Sequence, residues 1–446
     1  MKRLRGSLVV MRHLRGQRRI PFESDERINE RRDTAVRRMV AYAARTVPYY
    51  REYFSRESLD PREIRTAEDL NALPLLDPQA VRAKPELYTS ESRRARHSLT
   101  LRSGSVVRPL ELRHDHASLL ANIAYGERER GPVIDLCGGA FRPRELYIGY
   151  ERSNFRKVTK FYAENTRMPR PRRRAVSMTT PFEEIVSTIN DERPDLITAY
   201  GGFLDTFFRT LAARGAEIHS PKVIMYVGET LPEERRAWIE REIGARVMSR
   251  YCATEAFKVG YFCERRTGFH LHDDLCHVRV LRPDGSEAAR GERGEIVISN
   301  LVNRAAVLLN YPMGDLAAFS TEDCACGRGH RLLSEVQGRV EDALSLASGE
   351  HLHPRAVWSV FKDDRGVLQY QLVQHDLRRF ELKLVVADEP SFRESRDRAI
   401  RKLRALLGED AEIDASRHAQ LGRDEREKTG KFRAVESRLP ATGRRS

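Results

Sequence analysis

Residues 221–250, PKVIMYVGETLPEERRAWIEREIGARVMSR, decide the fold class of this chain. The run Val223–Val227 is apolar throughout, which is typical of a strand buried on both faces. Residues 232–243 then predict a helix, and residues 246–250 predict a second short strand. A strand, a helix and a strand in this order predict an α/β body.

Patterns on both sides of this unit extend the prediction. Upstream, residues 25–46 have helical spacing that ends at Val47-Pro48, because the residue before a proline is pushed out of the helical region. Downstream, residues 277–281 and 294–301 predict strands on either side of the turn Pro283-Asp284-Gly285. A helix therefore precedes the core, and a β subdomain follows it.

The pattern changes again after residue 342. Residues 380–386 alternate between apolar and other side chains, as a half-buried strand does, and residues 391–407 carry a helical apolar stripe. We therefore expect an α/β fold with a large multilayer N-terminal α/β domain that includes a β subdomain (residues 1–341). A small C-terminal α+β domain (residues 342–446) should follow.

Composition limits the class of protein. The 446 residues include 40% hydrophobic and 32% charged residues, enough for a sizeable core. The net charge of +14 invites a nucleic-acid partner, but the arginines are spread along the chain without a basic-aromatic recognition module. The sequence lacks an apolar run of transmembrane length, so we expect a cytoplasmic protein with no membrane partner, in which the six cysteines are metal ligands or buried thiols.

Six short motifs could carry chemistry, although each of them alone is compatible with an ordinary turn or a solvated charge run. Small-residue loops let backbone N–H groups approach phosphate oxygens, and loops after parallel strands line the usual ligand crevice. The motifs are residues 102–109 (RSGSVVRP), 227–232 (VGETLP), 251–255 (YCATE), 311–315 (YPMGD), 338–342 (GRVED) and 427–433 (EKTGKFR).

The order and spacing of these motifs resemble the adenylate-forming superfamily, and specifically its phenylacetate-CoA ligase branch, whose relatives include capsule-biosynthesis ligases. Residues 47–51 (VPYYR) and 73–77 (LPLLD) resemble the N-terminal region of that branch, so the resemblance covers nearly the whole chain. It implies ATP-dependent adenylation of a carboxylic acid to an acyl-AMP with release of pyrophosphate. The acyl group would then pass to an amine, a carrier-protein thiol or CoA.

The resemblance also implies roles for individual residues in binding ATP and Mg²⁺. The implied phosphate contacts are Ser103, Gly104, Ser105 and Arg108, and the implied adenine frame is Gly228, Glu229, Thr230 and Tyr251. Asp315 would bind the ribose, Arg339 would lie near the nucleotide, and Asp342 would be the hinge of a mobile C-terminal domain.

The implied catalytic residues are Lys431, Thr254 and Glu255. Attack of a carboxylate on the α-phosphorus builds negative charge on the phosphoryl oxygens. A positioned ammonium group such as that of Lys431 stabilises this charge, as does Mg²⁺ held with the help of Thr254 and Glu255.

A second constellation predicts a structural zinc site. Cys263, His270, Cys324 and Cys326 provide three thiolates and one imidazole, a complete tetrahedral ligand set, and the phenylacetate-CoA ligase branch resembles this arrangement. The rival ligands are His272, Cys276 and His277. Cys137 and Cys252 are expected to be simple buried or pocket thiols.

Several segments depart from the family pattern. Val106-Val107-Arg108 stands where the family has Thr-Gly-Lys, and a β-branched residue does not readily reach positive φ. Residues 347–354 replace the Arg-Gly-Val-Asn segment of the CoA ligases, which leaves the acceptor, including CoA, undecided. Arg142 and Arg144 favour a polar or additionally charged acid if their segment lines the acyl pocket.

Two alternatives to a ligase remain open at this stage. The altered phosphate loop is compatible with a catalytically altered, non-ligase nucleotide-binding relative, and the net charge with a nucleic-acid-associated protein. Retention of Lys431, Glu255 and Asp315 argues against the first alternative. The oligomeric state is not determined by the sequence, although dimers are common in the branch.

Overall fold

The computed structural model describes residues 1–102, 110–151, 153–169, 171–329, 331–334, 336, 344–349, 351–352, 354–362, 364, 366–421 and 432–439. The α-helices are α1 (Lys2–Leu14), α2 (Asp25–Thr46), α3 (Pro48–Arg56), α4 (Pro78–Ala83), α5 (Arg93–Arg96), α6 (His116–Tyr125), α7 (Glu127–Leu136), α8 (Asn154–Asn165), α9 (Phe182–Glu192), α10 (Gly201–Arg214), α11 (Glu233–Ile243), α12 (Pro354–Phe361) and α13 (Glu389–Leu407). Short 3₁₀ turns occupy Ile20–Phe22, Glu68–Ala72 and Pro85–Tyr88.

The strands are β1 (Ser98–Arg102), β2 (Glu111–Asp115), β3 (Arg144–Gly149), β4 (Arg172–Ser177), β5 (Leu196–Tyr200), β6 (Val223–Val227), β7 (Arg246–Tyr251), β8 (Gly260–Phe262), β9 (Phe269–Leu271), β10 (Cys276–Leu281), β11 (Gly294–Asn300), β12 (Tyr311–Ala317), β13 (Leu332–Leu333), β14 (Leu344–Ser345), β15 (His351–Leu352), β16 (Val367–Gln374), β17 (Arg379–Val386), β18 (Glu412–Arg417) and β19 (Val435–Ser437).

The main sheet has eight strands in the order β13-β9-β8-β7-β6-β5-β3-β4. Its strands from β7 to β4 are parallel, with Val223 of β6 opposite Arg246 of β7. Strands β8, β9 and β13 continue the sheet in antiparallel fashion. The predicted α/β fold is confirmed, and its parallel half places the strand ends at one edge.

A separate three-stranded antiparallel sheet contains β10, β11 and β12. Its first pair is a hairpin in which Cys276 lies opposite Asn300, on either side of the turn predicted at residues 283–285. The β subdomain is therefore present, with both strands within a residue of their predicted bounds.

Of the first two helices, α2 was predicted from its apolar pattern and α1 was not. Helix α2 has the predicted bounds, and its stripe residues Val36, Met39, Val40 and Ala43 are completely buried. Helix α1 was not predicted, because its exposed Leu4 and Leu8 and its inward-facing Gly6 and Ser7 do not form the apolar stripe of a core-facing helix. No described helix has an uncharged apolar stretch long enough to cross a bilayer.

The C-terminal residues have their own sheet, in the order β18-β17-β16-β19, covered by α12 and α13. Its core contains Leu372, Leu382 and Leu403, all fully buried, and draws its members only from residues 344–435. Residue 342, the predicted domain boundary, lies outside the described residues. The division into 1–341 and 342–446 accordingly stays a prediction.

Candidate active site

A cleft of about 2170 Å³ lies where the parallel strands β3, β5, β6 and β7 end. Its lining includes the residues that follow β6 and β7, together with parts of the C-terminal region at 367–370 and 432–435. Open α/β sheets bind ligands at this edge, beyond the carboxyl ends of the strands. The cleft is therefore the candidate active site.

The loop after β6 is held tightly against the start of α10. Gly228 has φ of +72°, a conformation that glycine adopts without strain. The carboxylate of Glu229 accepts a hydrogen bond from the backbone N–H of Gly202 at 2.9 Å and from that of Phe432 at 3.3 Å. Glu229 thus connects the predicted adenine loop to the C-terminal region, at Phe432, the residue that follows Lys431 in the sequence.

The side chains of Tyr251 and Asp315, predicted from two separate motifs, are in direct contact. The Tyr251 hydroxyl donates a hydrogen bond to Asp315 Oδ2 at 2.6 Å, and Asp315 is only 7% exposed. Hydrogen bonds to a carboxylate are shorter and stronger than bonds between neutral groups. This pair fixes the direction of the Asp315 carboxylate in the cleft.

Thr254 and Glu255 are positioned by amide side chains that the sequence analysis missed. Asn154 Nδ2 lies 3.1 Å from Thr254 Oγ1 and donates to the carbonyl of Arg102 at 2.6 Å, directly before the predicted phosphate loop. Asn300 donates to the Glu255 carbonyl at 2.8 Å. The entrance of the phosphate loop and the Thr254 loop are therefore joined through Asn154.

Other residues of the site were also missed, and one of them had a sequence signal. The dipeptide Gly201-Gly202 follows a strand and opens a helix, the same strand-to-helix pattern that marked the β6 loop. Buried His114 hydrogen-bonds the Thr254 backbone, and its burial lowers its pKa to about 4. No local pattern marks His114 or Asn154, because their contacts are with residues distant in the sequence.

Thr230, one of the implied adenine-frame residues, contacts a segment that is distant in the sequence. Its hydroxyl donates to the carbonyl of Val336 at 3.2 Å, and helix α11 begins after Pro232 without a side-chain cap. Seven further predicted site residues lie outside the described residues: Ser103, Gly104, Ser105, Arg108, Arg339, Asp342 and Lys431. The nearby residues Arg102, Val336 and Phe432 line the cleft.

The four predicted zinc ligands come together. The ligand atoms of Cys263, His270, Cys324 and Cys326 all lie within 4.8 Å of one another. Cys263 Sγ is 3.6 Å from Cys324 Sγ, and Cys326 Sγ is 3.4 Å from His270 Nε2. Tetrahedral zinc with bonds of ~2.3 Å to sulfur would hold its ligand atoms about 3.5–3.8 Å apart, so the set fits this ion.

The rival ligands have other surroundings. His272 Nε2 is 3.0 Å from Glu129, and buried His277 lies 3.4 Å from the Arg331 guanidinium. Cys276 is completely buried in the main apolar core. Of the other thiols, Cys137 is buried and Cys252 lines the cleft, as expected for simple thiols.

A buried ion cluster forms one wall of the cleft. Glu129, whose side chain is 2% exposed, lies 2.9 Å from Lys258 and 3.4 Å from Arg250. Burial raises the pKa of Glu129, but Lys258, the hydrogen bond from His272 and Arg250 outweigh this and hold the pKa below its ordinary value. One carboxylate therefore faces two cations that border the cleft.

The two arginines considered for the acyl pocket have different environments. Arg142 lines the cleft. Arg144, at the start of β3, donates its backbone N–H to Asp195 at 2.9 Å, and its guanidinium is 3.5 Å from the same carboxylate. Arg144 itself does not line the cleft, although its neighbours Pro143 and Glu145 do.

Comparison with known proteins supports the resemblance inferred from the motifs. The phenylacetate-coenzyme A ligase of Thermus thermophilus is 26% identical over 387 residues, 83% of each chain. A 2-hydroxyisobutyryl-CoA ligase in its postadenylation state superposes with a TM-score of 0.71 at 17% identity, over 94% of this chain and 92% of that one.

The same ligase in its thioesterification state, with 2-HIB-AMP and CoA, gives a TM-score of 0.58 at 17% identity, over 94% and 91% of the two chains. No family model matches the sequence. The fold is therefore that of the adenylate-forming ligases, and the likeness to the phenylacetate-CoA ligase branch is confirmed along the chain.

Proposed function

We propose that the protein is an adenylate-forming ligase, which uses ATP to convert a carboxylic acid to its acyl-AMP with release of pyrophosphate. The observation that carries the proposal is the convergence of distant motifs in one cleft. The Glu229 loop, the Tyr251–Asp315 pair and Phe432 come from separate parts of the chain, and all line the cleft at the edge of the parallel sheet. A plain turn motif would not need such partners.

The described residues suit the separate parts of ATP. The Tyr251 ring and the Gly228–Glu229 backbone offer a flat face and polar groups for adenine, and the fixed Asp315 carboxylate can accept both ribose hydroxyls. Thr254 and Glu255 provide oxygen ligands of the kind that Mg²⁺ prefers, and Mg²⁺ would neutralise charge on the phosphates. Ser103, Gly104, Ser105 and Arg108 are proposed for the phosphates.

Lys431 is proposed as the residue that stabilises the developing phosphoryl charge. The next residue, Phe432, donates its backbone N–H to the Glu229 carboxylate and therefore lies at the cleft. An ammonium group in a cleft that excludes water acts more strongly than in solvent. Arg339 near the nucleotide and Asp342 as the hinge of residues 342–446 belong to the same proposal.

The relatives indicate only the chemical class of the molecule that accepts the acyl group. The phenylacetate-coenzyme A ligase and the 2-hydroxyisobutyryl-CoA ligase use CoA by name. CoA is therefore the first acceptor to test, and an amine or a carrier-protein thiol comes next because residues 347–354 depart from the CoA-ligase segment. The small-molecule acid should be polar or carry a second charge, since Arg142 and Arg250 border the cleft.

A structural zinc ion is proposed at Cys263, His270, Cys324 and Cys326. The four ligands leave no open position, so the ion would join the β8–β9 region to the segment at 324–326 and take no part in the reaction. The sulfur of buried Cys263 accepts a hydrogen bond from the backbone N–H of Arg265 at 3.3 Å, a donor that favours the thiolate.

The test is acid-dependent exchange of labelled pyrophosphate into ATP. Zinc-loaded protein is incubated with ATP, Mg²⁺ and single acids that differ in charge and size. Exchange that depends on one acid supports adenylation. Absence of exchange with every acid, combined with calorimetric binding of ATP, would instead favour the nucleotide-binding relative.

A further inference from the structure

Helix α1 presents apolar side chains to solvent along its outer face. Leu4, Leu8 and Met11 are 51%, 55% and 49% exposed. Their spacing of four and three residues places them in one line along the helix, which we call the outer stripe. Few large apolar side chains are exposed elsewhere in the described residues, so the outer stripe is a concentrated feature.

The opposite face of α1 is firmly packed, so the outer stripe cannot turn inward. Val10 is completely buried against α6 and α8. A Cβ placed on Gly6 would lie 1.9 Å from the carbonyl oxygen of Asn165, which shows how closely the helix approaches α8. Ser7 also donates from its hydroxyl to its own helix and accepts from the Arg167 N–H at 2.9 Å. The helix is fixed in one rotational setting.

The charge around the outer stripe has one sign. Residues 1–22 contain no aspartate or glutamate, and their seven cations are Lys2, Arg3, Arg5, Arg12, Arg15, Arg18 and Arg19. Six of these lie in exposed positions beside or beyond the stripe and form no ion pair with the described residues, whereas Arg18 pairs with Glu127. An apolar line flanked by cations is the composition of helices that lie in a membrane interface.

We propose that α1 docks the protein onto an anionic lipid surface, with the outer stripe among the acyl chains and the arginines against the headgroups. A second copy of the chain is a poorer partner, because two such faces would bring like charges together. Nucleic acid would satisfy the arginines but leave the outer stripe in water. The attachment is peripheral and requires no membrane-spanning helix. It replaces the expectation of no membrane partner, which rested only on the lack of an apolar run of transmembrane length.

Docking through α1 would bring the cleft close to the lipid. Leu14 and residues 16–19, which directly follow the exposed part of the helix, belong to the cleft lining. This consequence rests on the proposed ligase function: an amphipathic acid, with its polar or charged part at the headgroups, would reach the cleft from the membrane side. Vesicle binding itself requires no catalysis, so its outcome is independent of whether the protein adenylates an acid.

The test is co-sedimentation of the full-length protein with vesicles of phosphatidylcholine alone or mixed with phosphatidylglycerol. We expect binding to the anionic vesicles at low salt, about tenfold or more weaker binding to neutral vesicles, and loss of binding at 0.5 M salt, roughly, where the Debye length is ~4–5 Å. The triple substitution Leu4→Ser, Leu8→Ser and Met11→Ser should reduce the bound fraction at least tenfold, roughly, while the melting temperature stays unchanged.

The matched control is Leu377→Ser, which changes another side chain that is 46% exposed but lies in the C-terminal region. It should bind vesicles like the unaltered protein. Failure to bind anionic vesicles, equal binding to neutral ones, or full binding by the triple variant would each overturn the proposal. A dimer in sedimentation velocity that the triple variant loses, without vesicle binding, would assign the stripe to a second copy instead.

Discussion

Replacing Gly201 with alanine should impair the nucleotide site without unfolding the protein. Gly201 opens helix α10 beneath the β6 loop, and an added Cβ would lie 2.5 Å from the carbonyl oxygen of Glu229 and 2.7 Å from that of Thr230. An ordinary contact begins at 3.4 Å, so the loop must retreat by the difference, 3.4 − 2.5 = 0.9 Å. Both neighbours are backbone atoms, which cannot rotate away as a side chain could.

A displacement of this size is large for a site that must align two reactants. A shift of about 1 Å can cost roughly 100-fold in rate. Overpacking costs about 1–3 kcal/mol, and the better helix propensity of alanine offsets less than about 1 kcal/mol at the first helical position, so the free energy of unfolding should fall by about 3 kcal/mol at most. We therefore expect pyrophosphate exchange to fall about 100-fold, with a raised KM for ATP.

The assay compares exchange rates and urea unfolding of the wild-type protein, Gly201→Ala and the control Gly131→Ala. Gly131 lies inside helix α7, and apart from its chain neighbours an added Cβ meets nothing within 4 Å. Alanine is the better helix former, but Pro132 follows and disfavours a helical alanine, so this change should leave exchange intact and alter the free energy of unfolding by about 1 kcal/mol or less in either direction. Exchange by Gly201→Ala within threefold, roughly, of the wild-type rate would show that the loop is not held against α10 as described.

Three further predictions concern the site and its supports. Tyr251→Phe removes the hydroxyl that donates to Asp315, so the KM for ATP should rise about 10- to 100-fold. The control Tyr53→Phe removes a hydroxyl remote from the cleft and should leave this KM unchanged. Equal KM values for the two variants would contradict the role of the Tyr251–Asp315 pair. Cys324→Ser should reduce the zinc content, measured by mass spectrometry, below one ion per chain, and it should also lower the melting temperature. An unchanged zinc content would refute the site. Burial lowers the pKa of His114 from 6.5 to about 4, so between pH 7 and pH 5 the unfolded chain binds a proton at His114 that the folded chain excludes. The His114 share of the fall in the free energy of unfolding over this range should be about 2 kcal/mol, measured in urea titrations as the part of the fall that His114→Asn abolishes, and an equal fall in both proteins would contradict this.

The apolar pattern predicted the core elements because it reflects burial directly. Val223–Val227 is a central strand, buried for most of its length, and α2 buries its stripe, so both were found with nearly correct bounds. Helix α1 escaped because its pattern is reversed: small Gly6 and Ser7 face inward, while Leu4 and Leu8 face solvent. A burial-based prediction cannot find a helix of this kind.

The candidate site shows the same division. Motif order identified Tyr251 and Asp315, which the fold brings within 2.6 Å although they are 64 residues apart. It did not identify Asn154, whose partners Thr254 and Arg102 are 100 and 52 residues away. Contacts of this kind depend on where the strands end in space, which no local pattern encodes.

The central claim is that this cleft adenylates a carboxylic acid with the help of Lys431. The most direct measurement is acid-dependent pyrophosphate exchange by the wild-type protein and by Lys431→Ala, with AMP binding by calorimetry as the check on an intact cleft. We predict exchange with at least one acid, and a loss of about 100- to 1000-fold in Lys431→Ala with AMP binding retained. An exchange rate unaffected by Lys431→Ala, or no exchange with any acid in folded, zinc-loaded protein, would contradict the account.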